Sequence, residues 1–242
     1  MSNGQIFDYF RCMYQKVIEE KRKKEFDGRY VAMFHQVDDD INKWYDNRYS
    51  ISFESFKHYI IQLIESGYEI VSPYEIVKDD KKKKVVLTFD DAFDGIYYCV
   101  YPFLKELNIP FVVFPAIDKL DEQGYINMEM LVEMSNDYSR CYIGGHSFSH
   151  CNLRKVSKLQ SRKEIIESGE QLEKCLKKKI KIFAYPYGSI EAVGKREQRY
   201  AKEKYEIAFG TVQTGITKHD SLTYLPRINV NELNVGDVRK LV

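Results

Sequence analysis

The sequence predicts an α/β fold: a largely parallel sheet with helices outside it, closed or nearly closed as a barrel. Two observations lead there. Short apolar runs alternate along the chain with stretches whose apolar residues recur every three or four positions, the patterns of buried strands and of helices with one buried face. The 242 residues also run without an internal repeat or a low-complexity linker, which suits one fairly large domain.

Taken in order, residues 5–24 set Ile6, Phe10, Met13, Tyr14, Val17 and Ile18 at helical spacing among charges. An amphipathic N-terminal helix is expected, docked on the domain or on a partner chain, where it could mediate a homo-oligomer. Tyr30–Val37 reads as a buried strand ending at His35. Ser52 opens a helix with Phe53, Phe56, Tyr59, Ile60, Leu63 and Ile64 on its apolar face, and Gly67 closes it. Ser72-Pro73 is expected to cap a further short helix. Strand Val85–Phe89 follows, then a helical stretch over 95–107 that Pro102 breaks or kinks. Phe111–Phe114 is a strand, Met128–Met134 a helix and Tyr142–Gly145 a strand. Ser157 starts a long helix running to about Lys177. The remaining elements are strand Ile180–Tyr185, helix Lys195–Tyr205, strand Ile207–Phe209 and strand Tyr224–Val230.

Hydrophobic residues make up 44% of the chain and aromatics 14%, enough for a sizeable core. Lys+Arg 37 against Asp+Glu 36 leaves no global basic field, which argues against nucleic acid as a partner. The lysine runs at 21–24, 81–84 and 177–179 read as solvated helix ends and loops. Five scattered cysteines without a C-x-x-C pair suggest reduced thiols and a cytoplasmic protein. The first residues lack the apolar core of a signal peptide, and no stretch has the ~20 apolar residues of a spanning helix.

Two stretches carry chemistry. Val85–Asp91, VVLTFDD, is an apolar run ending in two carboxylates. Ile143–His150, IGGHSFSH, sets His146 and His150 four residues apart. One carboxylate and two imidazoles make a three-ligand metal site with room for water, and the second carboxylate is then free to act as a base. Adjacent residues on a strand point to opposite sides, so Asp90 and Asp91 can share a pocket only where the backbone turns. Asp91 is the preferred ligand beside His146 and His150. Asp94 could compete as ligand or helix cap, and Cys151 could add a soft ligand or simply be buried. Chemistry in such a barrel collects at the carboxyl ends of strands, where His35, Asp90-Asp91, Gly145-His146, Tyr185-Pro186-Tyr187 and Arg227 are expected.

The segments TFDD, HSFSH and FAYPYG, in this order, resemble the polysaccharide deacetylase family, also called the NodB-homology family or carbohydrate esterase family 4. MFHQV and SFESFKHYIIQLIESGYEIVS are similar to segments of the subgroup acting on poly-N-acetylglucosamine, PFLKELNIPFVVF resembles a usual stretch of the family, and LPRINV also has its counterpart there. The resemblance covers about residues 30–230. It implies a distorted (β/α) barrel as a catalytic domain over 30–242, with residues 1–29 as an N-terminal helical extension. It further implies a divalent metal, commonly zinc, and hydrolysis of an N-acetyl group on an amino sugar; with no export signal read in the first residues, a lipid- or nucleotide-linked sugar, or a glycan before export, is the expected carrier. Matched residue by residue, Asp90 falls on the catalytic base and Asp91, His146 and His150 on the metal ligands. Tyr185, Pro186 and Tyr187 fall in the substrate-groove motif, with the Tyr187 N–H as an oxyanion contact. The resemblance has gaps. The C-terminal NELNVGDVRKLV has no His where many members place the acid that assists the departing amine. His35 is the candidate acid or substrate ligand, with His219 behind it. Arg227 could supply the charge that orients the base, and Ala92 replaces the Gly usual after TFDD. A C–N amide hydrolase acting on a non-sugar substrate, and an inactive glycan-binding scaffold, are the competing readings. Trp44, Tyr45, Tyr49, Phe93 and Tyr97 lie near suitable loops for stacking on sugar rings.

Overall fold

The computed structural model describes residue 26 and residues 28–44, 46–78 and 81–236. The helix expected over 5–24 and the boundary at residue 29 therefore fall largely outside the described residues, as does Tyr45. The strands are β1 (Arg29–Phe34), β2 (Gln36–Val37), β3 (Ser50–Ile51), β4 (Glu69–Ile70), β5 (Lys84–Asp90), β6 (Phe111–Phe114), β7 (Cys141–Ile143), β8 (Ile182–Ala184), β9 (Ile207–Phe209) and β10 (Ile228–Asn229). The α-helices are α1 (Phe53–Glu65), α2 (Tyr101–Glu106), α3 (Met128–Asp137), α4 (Lys158–Leu176) and α5 (Lys195–Lys204).

Among the described residues every strand-to-strand pairing is parallel. β10, β1, β5, β6 and β7 lie side by side, β4 borders the start of β5, and β8 pairs with β9 apart from them. Single bridges, Gly145 to Phe183 and Phe209 to Leu225, carry the wall from β7 to β8 and from β9 toward β10. The result is a distorted barrel with two lightly stitched seams.

Residue alternation decides what fills it. Val31, Val86, Val112, Phe114, Ile182, Ala184, Ile207 and Phe209 form one buried cluster. Their neighbours Tyr30, Ala32, Val85, Leu87, Phe111, Val113, Phe183 and Ala208 belong to the other, where the helices pack. Two-residue periodicity thus sends one face inward and the other to the helices. On β5 the inward row is Val86, Thr88 and Asp90, so the strand delivers Asp90 to the inside of the barrel at its carboxyl end.

Local signals set the helix starts. Ser52 accepts the Ser55 N–H at 3.1 Å and begins α1, and Ser157 accepts the Gln160 N–H at 3.1 Å and begins α4. Four expectations need correction. The stretch after Ser72 is a pair of turns, not a helix. Glu75 N–H donates to Ser72 O and Lys78 N–H to Glu75 O, while the Arg29 and Lys84 side chains take the Ile76, Glu75 and Lys78 carbonyls that a helix would use. The first strand breaks at His35: Arg29–Phe34 pairs with β5, whereas Gln36–Val37 turns away to pair with β3. The strand expected over 224–230 survives only as Ile228–Asn229, since Pro226 has no N–H to pair and Arg227 N–H donates to Val212 O. Pro102 neither breaks nor ends its helix. A π-turn over Ile96–Val100 passes directly into α2, with Pro102 in its first turn where no N–H is needed.

Candidate active site

Asp90 leaves β5 already inside the barrel mouth. Asp91 would point the other way in continued extended backbone. Instead Asp91 and Ala92 take φ of 64° and 61°, the left-handed region that side chains disfavour, and the chain doubles back so that Asp91 joins Asp90 in one cleft. The Gly usual after TFDD is free of that penalty; Ala92 bears it while fully buried. Strain of this kind recurs around the cleft. Ser147, His150 and Tyr187 also have φ between 52° and 65°, held there because their surroundings overdetermine them.

The histidines come from the segment after β7. Gly144 lets that segment pass: a Cβ there would lie 2.2 Å from the Phe114 ring and 2.9 Å from Ile182 O. His146 is 2% exposed, and its Nδ1 bonds Ala184 O at 2.8 Å. A carbonyl can only accept, so Nδ1 carries the proton and Nε2 is left as a free lone pair. That Nε2 lies 3.6 Å from Asp91 Oδ1 and 3.9 Å from Asp90 Oδ2; His150 Nε2 lies 3.2 Å from Asp91 Oδ1. One ligand atom each from Asp91, His146 and His150 falls within 4.8 Å of the others. A hard oxygen and two imidazole nitrogens this close suit a divalent ion, with His146 already oriented by its carbonyl partner. Burial holds the His146 imidazole down to about 4, against the pull of Asp90, so it stays neutral and able to ligate at ordinary pH.

Arg227 is fully buried and grips Asp90 with two bonds, Nη1 to Oδ1 and Nη2 to Oδ2, both at 2.6 Å. Its Nε donates to Gly210 O at 2.9 Å and its guanidinium lies 5.7 Å from the Phe114 ring centre. Burial alone would raise the Asp90 carboxyl. The Arg227 guanidinium and its two bonds, with the His146 ring close by, more than reverse it and hold it well below the usual carboxylate range. His35 lines the same cleft. Burial lowers its imidazole despite Asp90 and Asp91, and its Nδ1 is buried without a partner.

The cleft measures about 500 Å³. Tyr187, 59% exposed, stands on its rim beside His150 with ring centres 5.2 Å apart. Tyr185 lies buried beneath, its hydroxyl donating to Thr223 O at 2.9 Å, and Pro186 between them is buried. Phe93 and Tyr125 stack at 4.8 Å as another rim. Of the other aromatics suggested for sugar contact, Tyr49 lines the cleft, whereas Tyr97 is tied to Glu133 and Trp44 to Asp38 O. His219 is exposed in the 217–220 turn and does not line the cleft. Asp94 caps the helical stretch after it through its carbonyl, and neither it nor Cys151 joins the ligand cluster.

Sequence reasoning missed Tyr125, Lys119, Asn229 and the support beneath the histidine loop. Glu164, reaching up from α4, accepts the Phe148 and Ser149 N–H groups and the Ser149 hydroxyl at 2.8–2.9 Å. Burial would raise this carboxyl, but the bonds from Ser149, Gln160 and Phe148 lower it overall. Glu164→Ala is expected to weaken divalent-metal affinity about tenfold, measured by chelator competition, while touching none of the three candidate ligands. An unchanged dissociation constant would show that the loop holds itself.

A barrel with paired carboxylates and paired imidazoles in one cleft has the parts of a metal-assisted hydrolase. The sequence model for polysaccharide deacetylases matches residues 77–205, and the chain belongs to that family, enzymes that cleave amide bonds on carbohydrates. It is 26% identical over 230 residues to a poly-beta-1,6-N-acetyl-D-glucosamine N-deacetylase of Staphylococcus aureus, covering 87% of this chain and 76% of that protein. Among solved structures, IcaB from Ammonifex degensii matches with a TM-score of 0.75 at 21% identity, over 89% of this chain and 97% of that one. The Streptococcus pyogenes deacetylase PplD, solved with acetate, matches with a TM-score of 0.73 at 20% identity, over 84% and 92%.

Proposed function

We propose that this chain removes N-acetyl groups from β-1,6-linked poly-N-acetylglucosamine or a closely similar glycan, with zinc held by Asp91, His146 and His150. One observation carries the reading: three ligand atoms within 4.8 Å of one another stand beside an Arg227-bound Asp90 in a single cleft. The Staphylococcus aureus relative supports the choice of glycan.

When bound, a zinc ion supplies Lewis acidity to the acetyl carbonyl and lowers the pKa of a water. The chain does the rest. Asp90, kept anionic and fixed in direction by Arg227, accepts the proton of the attacking water. Its depressed basicity also lets it give that proton up readily. The Tyr187 N–H, displayed at the rim by the left-handed turn, donates to the developing oxyanion. His35, neutral at rest and lining the same cleft, relays the proton to the departing amine. Acetate and a free amino sugar result. Tyr187 and the Phe93–Tyr125 stack provide flat faces for neighbouring sugar rings.

Elemental analysis of the purified chain tests this first. About one zinc per chain is expected, together with acetate release from β-1,6-linked N-acetylglucosamine oligomers that a chelator abolishes and zinc restores. Acetate release that survives complete metal removal would overturn the reading.

A further inference from the structure

One wall of the cleft is built from β1, β2, β3, β10 and residues 211–213, and nearly all its side-chain polar groups are engaged. Gln36 Nε2 donates to Lys43 O at 2.8 Å, and its Oε1 accepts the Ser50 hydroxyl at 3.1 Å. Thr211 donates to Tyr187 O at 2.8 Å. Gln213 donates to Thr211 O at 3.2 Å and accepts the Asn229 N–H at 2.8 Å. Two atoms stand apart: Asn229 Oδ1 and His35 Nδ1 are buried with no partner, and both residues line the cleft. They are neighbours in the fold, since Asn229 pairs in register with Met33, two residues before His35.

The Asn229 amide cannot simply be turned round. Its Nδ2 donates to Arg48 O at 2.8 Å, and a carbonyl there could not accept the other end of the amide. So Oδ1 is fixed as an acceptor. A buried acceptor without a donor is costly to the folded chain, and its place in a substrate cleft says what would supply the donor.

We propose that Asn229 Oδ1 accepts a hydrogen bond from a ring hydroxyl of the sugar whose acetamido group is cleaved. Asn229 is then the residue that separates amino sugars from acetamido compounds without that hydroxyl. The inference rests on the reading of the cleft as a sugar N-deacetylase site. A hydroxyl both donates and accepts, so the same group can also take a bond from His35 when Nδ1 carries the ring proton.

The test compares acetate release by the zinc-loaded chain from N-acetylglucosamine glycosides and their 3-deoxy and 4-deoxy analogues. Wild type is expected to lose about tenfold in kcat/KM on one analogue, the worth of one hydrogen bond to a buried acceptor. Asn229→Leu is expected to lose about tenfold on the parent glycoside and to treat parent and that analogue alike. Arg48 O also accepts Asn231 Nδ2 at 2.7 Å, so the loop keeps an anchor in the variant. A purely structural Asn229 would lower parent and analogue by the same factor, which overturns the inference. Equal wild-type rates on all the glycosides overturn it too, and do so even where Asn229→Leu fails to fold. No acetate from any sugar would instead sink the deacetylase reading itself.

Discussion

Arg227→Met is expected to cost about 3–5 kcal/mol of stability, because it leaves Asp90 buried with no cation against it. The pH dependence identifies the cause. In the native chain the Asp90 carboxyl lies below its unfolded value. The pair therefore adds stability that is present above the ordinary carboxylate pKa and is lost only as pH falls below it toward the folded value. Without the guanidinium, burial wins and the folded value rises above the unfolded one. The sign then reverses: the variant's Asp90 is best tolerated at low pH and becomes a burden as pH rises through the raised value. Urea unfolding at pH 5 and pH 8 is expected to show a smaller deficit against wild type at pH 5. The acid limb of kcat/KM is expected to move to higher pH, since the base must first ionise. A deficit independent of pH would mean that Arg227 acts by packing alone.

His146→Gln is expected to lose the divalent metal and to bring acetate release to background, since it removes the most buried of the three proposed ligands. The metal-free protein offers a second readout. Burial lowers His146 from about 6.5 to about 4. A folded value below the unfolded one gives stability that is full above pH 6.5 and is lost as pH falls toward 4. The size is on the order of 3 kcal/mol for a group this buried. Acid titration of stability in the metal-free wild type is expected to show that fall, and His146→Gln to lack it. The same fall in both proteins would place the acid sensitivity in another group.

The fold was legible wherever local chemistry and tertiary packing agree. Phe111–Phe114 and Ile207–Phe209 form strands over the residues their apolar runs mark, and Ser52 and Ser157 start their helices through their own hydroxyls. It was not legible where distant groups intervene. The carbonyls after Ser72 are taken by side chains of β1 and β5, and Pro226 cuts a strand that hydrophobicity alone would continue. The adjacent carboxylates and the H-x-x-x-H spacing pointed to the cleft because they are short-range patterns. Arg227 was singled out through LPRINV, and its bond to Asp90 spans 137 residues. Glu164 and Asn229 had no such signal: one looks like any glutamate on a polar helix, the other like an asparagine at a strand end. Their partners, Ser149 and Arg48, meet them only once the barrel has closed.

Closure itself is uneven. Continuous ladders bind β1, β5 and β6, while single bridges at Gly145–Phe183 and Phe209–Leu225 complete the circle. Small openings of a folded chain run through its most sparsely bonded joints. Here those joints adjoin His146, Tyr185 and Arg227. Amide hydrogen exchange is therefore expected to be faster at those two joints than along the β1–β5–β6 ladder, so that any loosening of the barrel would start beside its chemistry and not in the opposite wall.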